Sequence, residues 1–289
     1  MNPYYARNRA IPPEWRYKIM SVRLERKTLS INRQHYTFDK KLGKGAFGAV
    51  YAARRYSDGA PVAIKVISLA SQKDSLALQN AESALTEIEM AKRLTRTSRH
   101  IIHMYDFDFH QTGLSFIVME LGQQDLEKYL SQRLALEPAD RKFIWRQLVD
   151  IAGALDSQQI VHRDIKPQNL IIFPGGIVKL GDLGIAKQAF HDKTGPTGTP
   201  LYSAPEVTRY KPRVVLTTAA DVWSWGAVLY RMTYMQHPHY DPPCYYPLEN
   251  QRLTSDRYLN DVLRRTLVLS PEKRPTPSWL AKHPYTNTR

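Results

Sequence analysis

Cysteine is nearly absent from this chain. Cys244 stands alone among 289 residues, so no internal disulfide can form. Long apolar runs are absent too: no stretch reaches eighteen residues, which argues against a transmembrane helix. Met1-Asn2-Pro3-Tyr4-Tyr5 carries no apolar signal-peptide core, and Asn2 stands where N-myristoylation would need glycine. No prenylation cysteine closes the sequence. These absences together favour a reducing compartment, cytoplasm or nucleus. Acidic residues are in deficit, with 27 Asp and Glu against 41 Lys and Arg, a formal charge of +14. No internal repeat or low-complexity tract occurs, and the basic and aromatic residues form no specific nucleic-acid module. What is present is globular in kind. Hydrophobic residues make up 43%, enough for a sizeable core, and the length suits one or two domains.

The charge excess is partly local. Eight Lys and Arg fall within residues 1–35, against Glu14 and Glu25. Pro12-Pro13 breaks any early helix, and no periodicity is sustained. Residues 1–35 read as a basic extension. It suits a solvated tail or an anchor for an acidic protein partner, nucleic acid or membrane surface.

From Tyr36 the pattern changes. Tyr36 and Phe38 alternate with polar residues, Leu42 leads into a glycine cluster, and Val50-Tyr51 resumes an extended pattern. Ser57-Asp58-Gly59 reads as a hairpin turn before a strand at Val62–Ile67. A helix is predicted over Ala81–Leu94, with Leu85, Ile88, Ala91 and Leu94 on one face. Ile101–Phe107 and Leu114–Met119 are two more strands. Residues 36–121 thus predict a five-stranded antiparallel sheet with one helix, an α+β unit. Residues 122–289 predict a larger, mainly helical unit. Its helices are Asp125–Leu130, Pro138–Leu155 (with Phe143, Ile144, Leu148, Ile151 and Leu155 at helical spacing), Ala219–Tyr234, Tyr258–Leu269 and Pro277–Lys282. Two short strands, Leu170–Phe173 and Ile177–Leu180, flank the turn Pro174-Gly175-Gly176.

Chemistry-bearing residues concentrate in His162-Arg163-Asp164-Ile165-Lys166-Pro167-Gln168-Asn169, followed by Asp182-Leu183-Gly184. Asp164 can accept a proton from an attacking hydroxyl, and Lys166 can neutralise a moving phosphoryl group. Asn169 and Asp182 can hold magnesium ions that bridge nucleotide phosphates. Upstream, Gly43-Lys44-Gly45-Ala46-Phe47-Gly48 lies between strands. Glycines there permit positive φ and let backbone N–H groups approach phosphate. Val50-Tyr51-Ala52-Ala53 continues as a strand, whereas a dinucleotide site would lead into a helix.

These motifs, in this order over about residues 36–285, resemble the eukaryotic protein kinases of Ser/Thr type. The resemblance implies a bilobal fold, ATP and Mg2+ as cofactors, and Ser/Thr hydroxyls of protein substrates as acceptors. It places the nucleotide against Leu42, Gly43, Gly45, Phe47, Gly48, Val50 and Ala63. Lys65 would contact the α- and β-phosphates, steadied by Glu87, with Glu82 and Glu89 as competitors. Met119 would be the gatekeeper and Glu120, Leu121 and Gly122 the hinge. Asp164, Lys166 and Asn169 would be catalytic, with Asn169 and Asp182 the metal ligands. Thr199 would bond Asp164 and Lys166. Glu206 would pair with Arg274, and Asp221 would brace the catalytic loop through backbone N–H groups. Arg163 would bind a phosphate added to Thr194 or Thr197.

Met119-Glu120-Leu121-Gly122-Gln123-Gln124-Asp125-Leu126 and Tyr230-Arg231-Met232-Thr233-Tyr234 are similar to monopolar-spindle (TTK-type) checkpoint kinases. That likeness implies dual specificity and a kinetochore location. Val178-Lys179-Leu180-Gly181-Asp182-Leu183-Gly184 is similar instead to NIMA-related mitotic kinases. A pseudokinase that keeps the fold as a binding module is the alternative of another class. Ala91, four residues past Glu87, is smaller than the apolar residue such kinases carry in their stacked core, which implies dependence on segment phosphorylation or a partner.

Overall fold

Along Pro61–Ser68 successive side chains enter two different apolar environments, the period-2 signature of a strand buried on both faces. Val62, Ile64 and Val66 join Leu24, Ile31, Tyr36, Phe38, Tyr51, Ala53, Phe116 and Val118 in one cluster. Ile67 turns the other way, to Ala84, Ile88 and Ile117. A computed structural model describes residues 24–44, 48–69, 74–110, 113–189, 199, 201–208, 217–238 and 253–288. The chain divides into two units. The first comprises residues up to Lys92 together with 102–121, and the second comprises 93–101 and everything from Gly122 onward.

Unit 1 is an antiparallel sheet with one long helix. Its strands are β1 (Thr28–Ile31), β2 (Gln34–Lys44), β3 (Gly48–Arg55), β4 (Pro61–Ser68), β5 (Met104–His110) and β6 (Leu114–Glu120). Their order is β1-β2-β3-β4-β6-β5. Helix α1 spans Asp74–Leu94. Phe38 meets Tyr51 and Phe116 edge-on, at ring separations of 5.6 and 6.5 Å. Each buried Val, Ile or Phe here contributes about 1.5–3 kcal/mol.

The sheet has six strands where the sequence predicts five. The added strand, β1, lies within the stretch read as a basic extension and pairs Thr28–Ile31 with Gln34–Thr37. Its turn is Asn32-Arg33, with φ of 45° and 66°. Positive φ at both central residues matches a type I′ hairpin, usually written Asn-Gly, so the arginine conceals it. Asn32 secures the turn to β5: its N–H donates to Asp108 and its side-chain amide to Asp106. Residues 1–23 of that stretch lie outside the described residues. Two further boundaries move. Helix α1 begins seven residues before Ala81, and β5 starts at Met104 because Ile101 instead bridges Leu180 in unit 2.

Unit 2 is mainly helical. Among its described residues are α2 (Leu126–Ser131), α3 (Pro138–Ser157), α4 (Pro205–Thr208), α5 (Ala219–Tyr234), α6 (Arg257–Thr266), α7 (Pro277–Lys282) and α8 (Pro284–Asn287). Ile144, Leu148, Ile151 and Leu155 of α3 are buried as their spacing predicts, but Phe143 is exposed beside the Pro174–Gly176 turn. Helix α5 is buried on nearly every face, with Trp223 and Trp225 each 1% exposed. Short strands complete the unit: β7 (Gln124–Asp125), β8 (Ile160–Val161), β9 (Leu170–Phe173), β10 (Ile177–Leu180) and β11 (Lys187–Gln188). They form the sheets β10-β9-β7 and β11-β8. No helix among the described residues is long and apolar enough to cross a membrane.

Arg33 is exposed and held at positive φ, a conformation that disfavours any residue with a Cβ. Arg33→Gly is therefore expected to raise the unfolding free energy by about 0.5–1 kcal/mol. Urea denaturation of the two chains checks this.

Candidate active site

Register places the candidate nucleotide-handling residues of unit 1. Lys65 on β4 stands opposite Val50 on β3 and Ile117 on β6, and Ala63 stands opposite Met119. Lys65 shares the α1-facing side of β4 with Ile67, two residues on. Helix α1 supplies the partner: Lys65 Nζ meets Glu87 Oε2 at 2.6 Å, with both side chains buried. Glu82 and Glu89 face solvent, so the competition among the three carboxylates resolves to Glu87. Met119 packs with Ile67, Ala84, Ile88 and Ile117, a core position one strand from Ala63.

At Gly48 close approach, and not φ, calls for glycine. Gly48 has no positive φ, but a Cβ there would run into the Val66 carbonyl, so only glycine lets β3 and β4 approach this closely. A Cβ on Gly43 would meet nothing within 4 Å, and Leu42 before it is 47% exposed. Gly45 and Phe47 lie outside the described residues. At the hinge, the Glu120 N–H donates to His103 O and its carboxylate accepts from the His103 N–H at 2.6 Å. An N–H offered to a base must therefore come from Leu121 or Gly122. A Cβ on Gly122 would strike Ile171, which accounts for glycine there.

In unit 2 the candidate catalytic residues are joined by hydrogen bonds. Asp164 Oδ2 meets Lys166 Nζ at 2.7 Å and accepts from Asn169 Nδ2 at 3.1 Å. Asp164 Oδ1 accepts from Thr199 Oγ1 at 3.0 Å, and Lys166 Nζ donates to that hydroxyl at 2.8 Å. Thirty-five residues separate Asp164 from Thr199, so these bonds tie the catalytic loop to the far end of the segment that follows Asp182.

A buried carboxylate holds the loop beneath. Asp221, on α5, accepts the His162 N–H at 2.6 Å and the Arg163 N–H at 3.0 Å. Burial pushes its pKa up, while His162 and Arg163 pull it back down. His162 is fully buried. Its Nδ1 accepts the Asp164 N–H at 3.3 Å, so Nε2 carries the proton and donates to Gly181 O at 3.1 Å. Gly181 in turn donates its N–H to Asn169 O at 2.9 Å, drawing the residue before Asp182 to the metal-ligand candidate Asn169. Arg163 and Asp182 both have positive φ, 69° and 55°, backbone strain of the kind that clusters at functional sites.

The donor types present, an Asn amide oxygen and an Asp carboxylate, fit a divalent cation. Asn169 Nδ2 is spent on the backbone oxygen and carboxylate of Asp164. Its amide oxygen and the Asp182 carboxylate are the hard oxygen donors that would hold such an ion. Arg163 donates through Nε to Ile185 O at 2.6 Å, while its buried Nη1 meets no acceptor among the described residues. Burial pulls its pKa down, with Asp221 opposing. Thr194 and Thr197 lie outside the described residues.

Glu206 and Arg274 form the expected pair, in two-pronged contact at 2.6 and 2.8 Å. Arg274 also donates to the carbonyls of Val268, Ala219 and Leu269, and its guanidinium lies 5.1 Å from the Trp223 ring centre. Sequence reasoning missed the clamp of Glu120 on His103 and the pair of Arg231 with Glu127 at 2.7 Å. Neither has a spacing signal, since each joins residues distant in sequence.

The protein kinase domain model matches residues 36–286, in step with this geometry. The chain belongs to the protein kinase family. It is 31% identical over 281 residues to the dual specificity protein kinase TTK of Mus musculus, covering 89% of this chain and 32% of that protein. It is 32% identical over 267 residues to the serine/threonine-protein kinase TIO of Arabidopsis thaliana, covering 87% and 19%. It is 36% identical over 208 residues to the serine/threonine-protein kinase fused of Drosophila melanogaster, covering 70% and 24%. The chain spans about a third or less of the length of these relatives.

Replacing Asp221 by Asn leaves one of the two backbone N–H groups facing an amide NH2. Asp221→Asn is expected to lower stability by about 2–3 kcal/mol. Chemical denaturation beside the parent measures the loss.

Proposed function

We propose that this chain transfers the γ-phosphoryl group of ATP to Ser and Thr hydroxyls of protein substrates. The observation that carries this reading is the convergence of Lys166, Asn169 and Thr199 on the Asp164 carboxylate. Asp164 orients the acceptor hydroxyl and takes its proton as oxygen attacks the γ-phosphorus. The bond to the bridging β–γ oxygen breaks and ADP departs. Lys166 offsets negative charge on the moving group, and Lys65, fixed by Glu87, orients the α- and β-phosphates. When bound, Mg2+ at Asn169 and Asp182 neutralises charge on the phosphate oxygens. Thr199, placed between Asp164 and Lys166, supports a hydroxyl acceptor of Ser/Thr kind.

Control through the segment after Asp182 belongs to the same proposal. The buried, partly unsatisfied guanidinium of Arg163 suits a phosphate on Thr194 or Thr197, which would supply the missing acceptor by charge-assisted bonds. A mitotic role is the finer reading. It is supported by the hinge residues 119–126 and by the likeness to TTK, and it carries a nuclear or cytoplasmic location, including kinetochores. The basic residues before Thr28 would then serve to hold an acidic protein partner.

Phosphate transfer from labelled ATP with magnesium, to a generic basic protein and to the chain itself, tests the proposal. The parent is expected to label both. Asp164→Ala should lose about a thousandfold in rate. The Thr194→Ala, Thr197→Ala double variant should lose activation by preincubation with ATP. No transfer by a parent that binds ATP would overturn the reading.

A further inference from the structure

Helices α6 and α7 of unit 2 bring a row of stacked side chains to the surface. Arg257, Asp261, Arg264 and Arg265 share one face of α6 by their spacing, while Leu259, Val262 and Leu263 are buried on the other. His283, which follows α7, sits between two half-buried rings. The Trp279 ring centre is 4.5 Å from its own, and that of Tyr258 is 6.2 Å away. Arg257 lies over Tyr258 at 4.8 Å and Arg265 over Trp279 at 5.5 Å. The row therefore runs Arg257, Tyr258, His283, Trp279, Arg265, with a guanidinium at each end. Hydrogen bonds hold it in place. His283 Nδ1 accepts the Tyr285 N–H at 3.1 Å, so Nε2 carries the proton and donates to Asp261 at 3.3 Å. Asp261 also accepts from Arg265 Nε on both carboxylate oxygens, at 3.0 Å.

Charge on this face does not balance. Asp261 is spent on His283 and Arg265, and Asp256 on capping α6. Arg257, Arg264 and Lys282 are exposed, and none of them meets a carboxylate among the described residues. Arg257 and Arg264 stand two turns apart, about 10 Å along the helix axis. Trp, Tyr and Arg are the side chains that carry most binding energy at interfaces, because they offer large, rigid contact area at small entropic cost. We propose that this face of α6 and α7 is a docking surface for an acidic segment of a partner protein. Carboxylates of the segment pair with Arg257, Arg264 and Lys282, and its apolar groups lie along the exposed edges of Tyr258 and Trp279. A nucleic-acid strand fits less well. The Trp279 ring is already engaged by His283 and Arg265, and Asp261 sets a negative charge in the path of a continuous phosphate backbone. The inference concerns recognition and stands whether or not the phosphotransfer reading holds.

The test combines peptide selection with calorimetry on the full chain. A phage-displayed library of random peptides is panned against the parent and counter-selected on the Arg257→Glu, Arg264→Glu, Lys282→Glu triple variant. All three side chains are exposed and stand apart from the candidate catalytic residues, so the variant should melt within a few degrees of the parent. Should it not fold, the Arg257→Ala, Arg264→Ala double variant takes its place. Selected peptides should be rich in Asp and Glu and should bind the parent more weakly as salt rises. The variant should bind the same peptides at least about tenfold more weakly. No selected peptide, a selected set without excess Asp and Glu, or equal affinity for parent and variant would overturn the proposal. Two further results overturn it by naming another occupant. One is a mixed-sequence single-stranded oligonucleotide that binds the parent more tightly than the best peptide and is lost in the variant. The other is self-association of the parent in sedimentation that the variant abolishes, which makes the occupant a second copy of this chain.

Discussion

The site depends on one buried carboxylate. Asp221 reaches from helix α5 to accept two successive backbone N–H groups, those of His162 and Arg163. A carboxylate buried in this way is costly unless its oxygens are satisfied, and here two adjacent amides do so. The requirement runs both ways, because presenting adjacent amides to one carboxylate bends the loop and puts Arg163 at positive φ. From that bend the rest follows in order. His162 accepts from the Asp164 N–H and donates to Gly181, Gly181 donates to Asn169, and Asn169 donates to Asp164. Two backbone amides thus determine where the base and both metal-ligand candidates stand.

The two buried ion pairs serve geometry more than stability. Removing Lys65 and Glu87 from water costs several kcal/mol per ion, about what their attraction returns. What the pair secures is an ammonium in one place, with a helix and a strand held to match. Arg274 is different in degree. Its five donors meet Glu206 and three carbonyls, so it closes the chain after Thr199 against α5 with nearly every hydrogen bond made.

Much of this was legible in the sequence, for identifiable reasons. Strands β4 and β6 announce themselves by short apolar runs, and α5 and α7 fall on their predicted bounds, α7 with a Thr276 cap and Pro277 at its first position. Asp164, Lys166, Asn169 and Asp182 lie close enough in sequence for spacing to carry their chemistry. Glu87 was the preferred partner for Lys65 with Glu82 and Glu89 as competitors, and burial separates it from both. Strand β1 was hidden because its turn uses Asn-Arg where the recognisable signal is Asn-Gly. At Gly48 a further reason for glycine was hidden: the Val66 carbonyl, a neighbour across the sheet that local sequence does not name.

The central claim is that Asp221 fixes the catalytic loop in the native state before any substrate arrives. Native-state hydrogen exchange of the His162 and Arg163 amides tests it most directly. The account predicts that both exchange only through global unfolding, with a denaturant dependence matching that of the whole of unit 2. Exchange through a low-energy local opening, with denaturant having little effect, would mean that the carboxylate does not hold the loop.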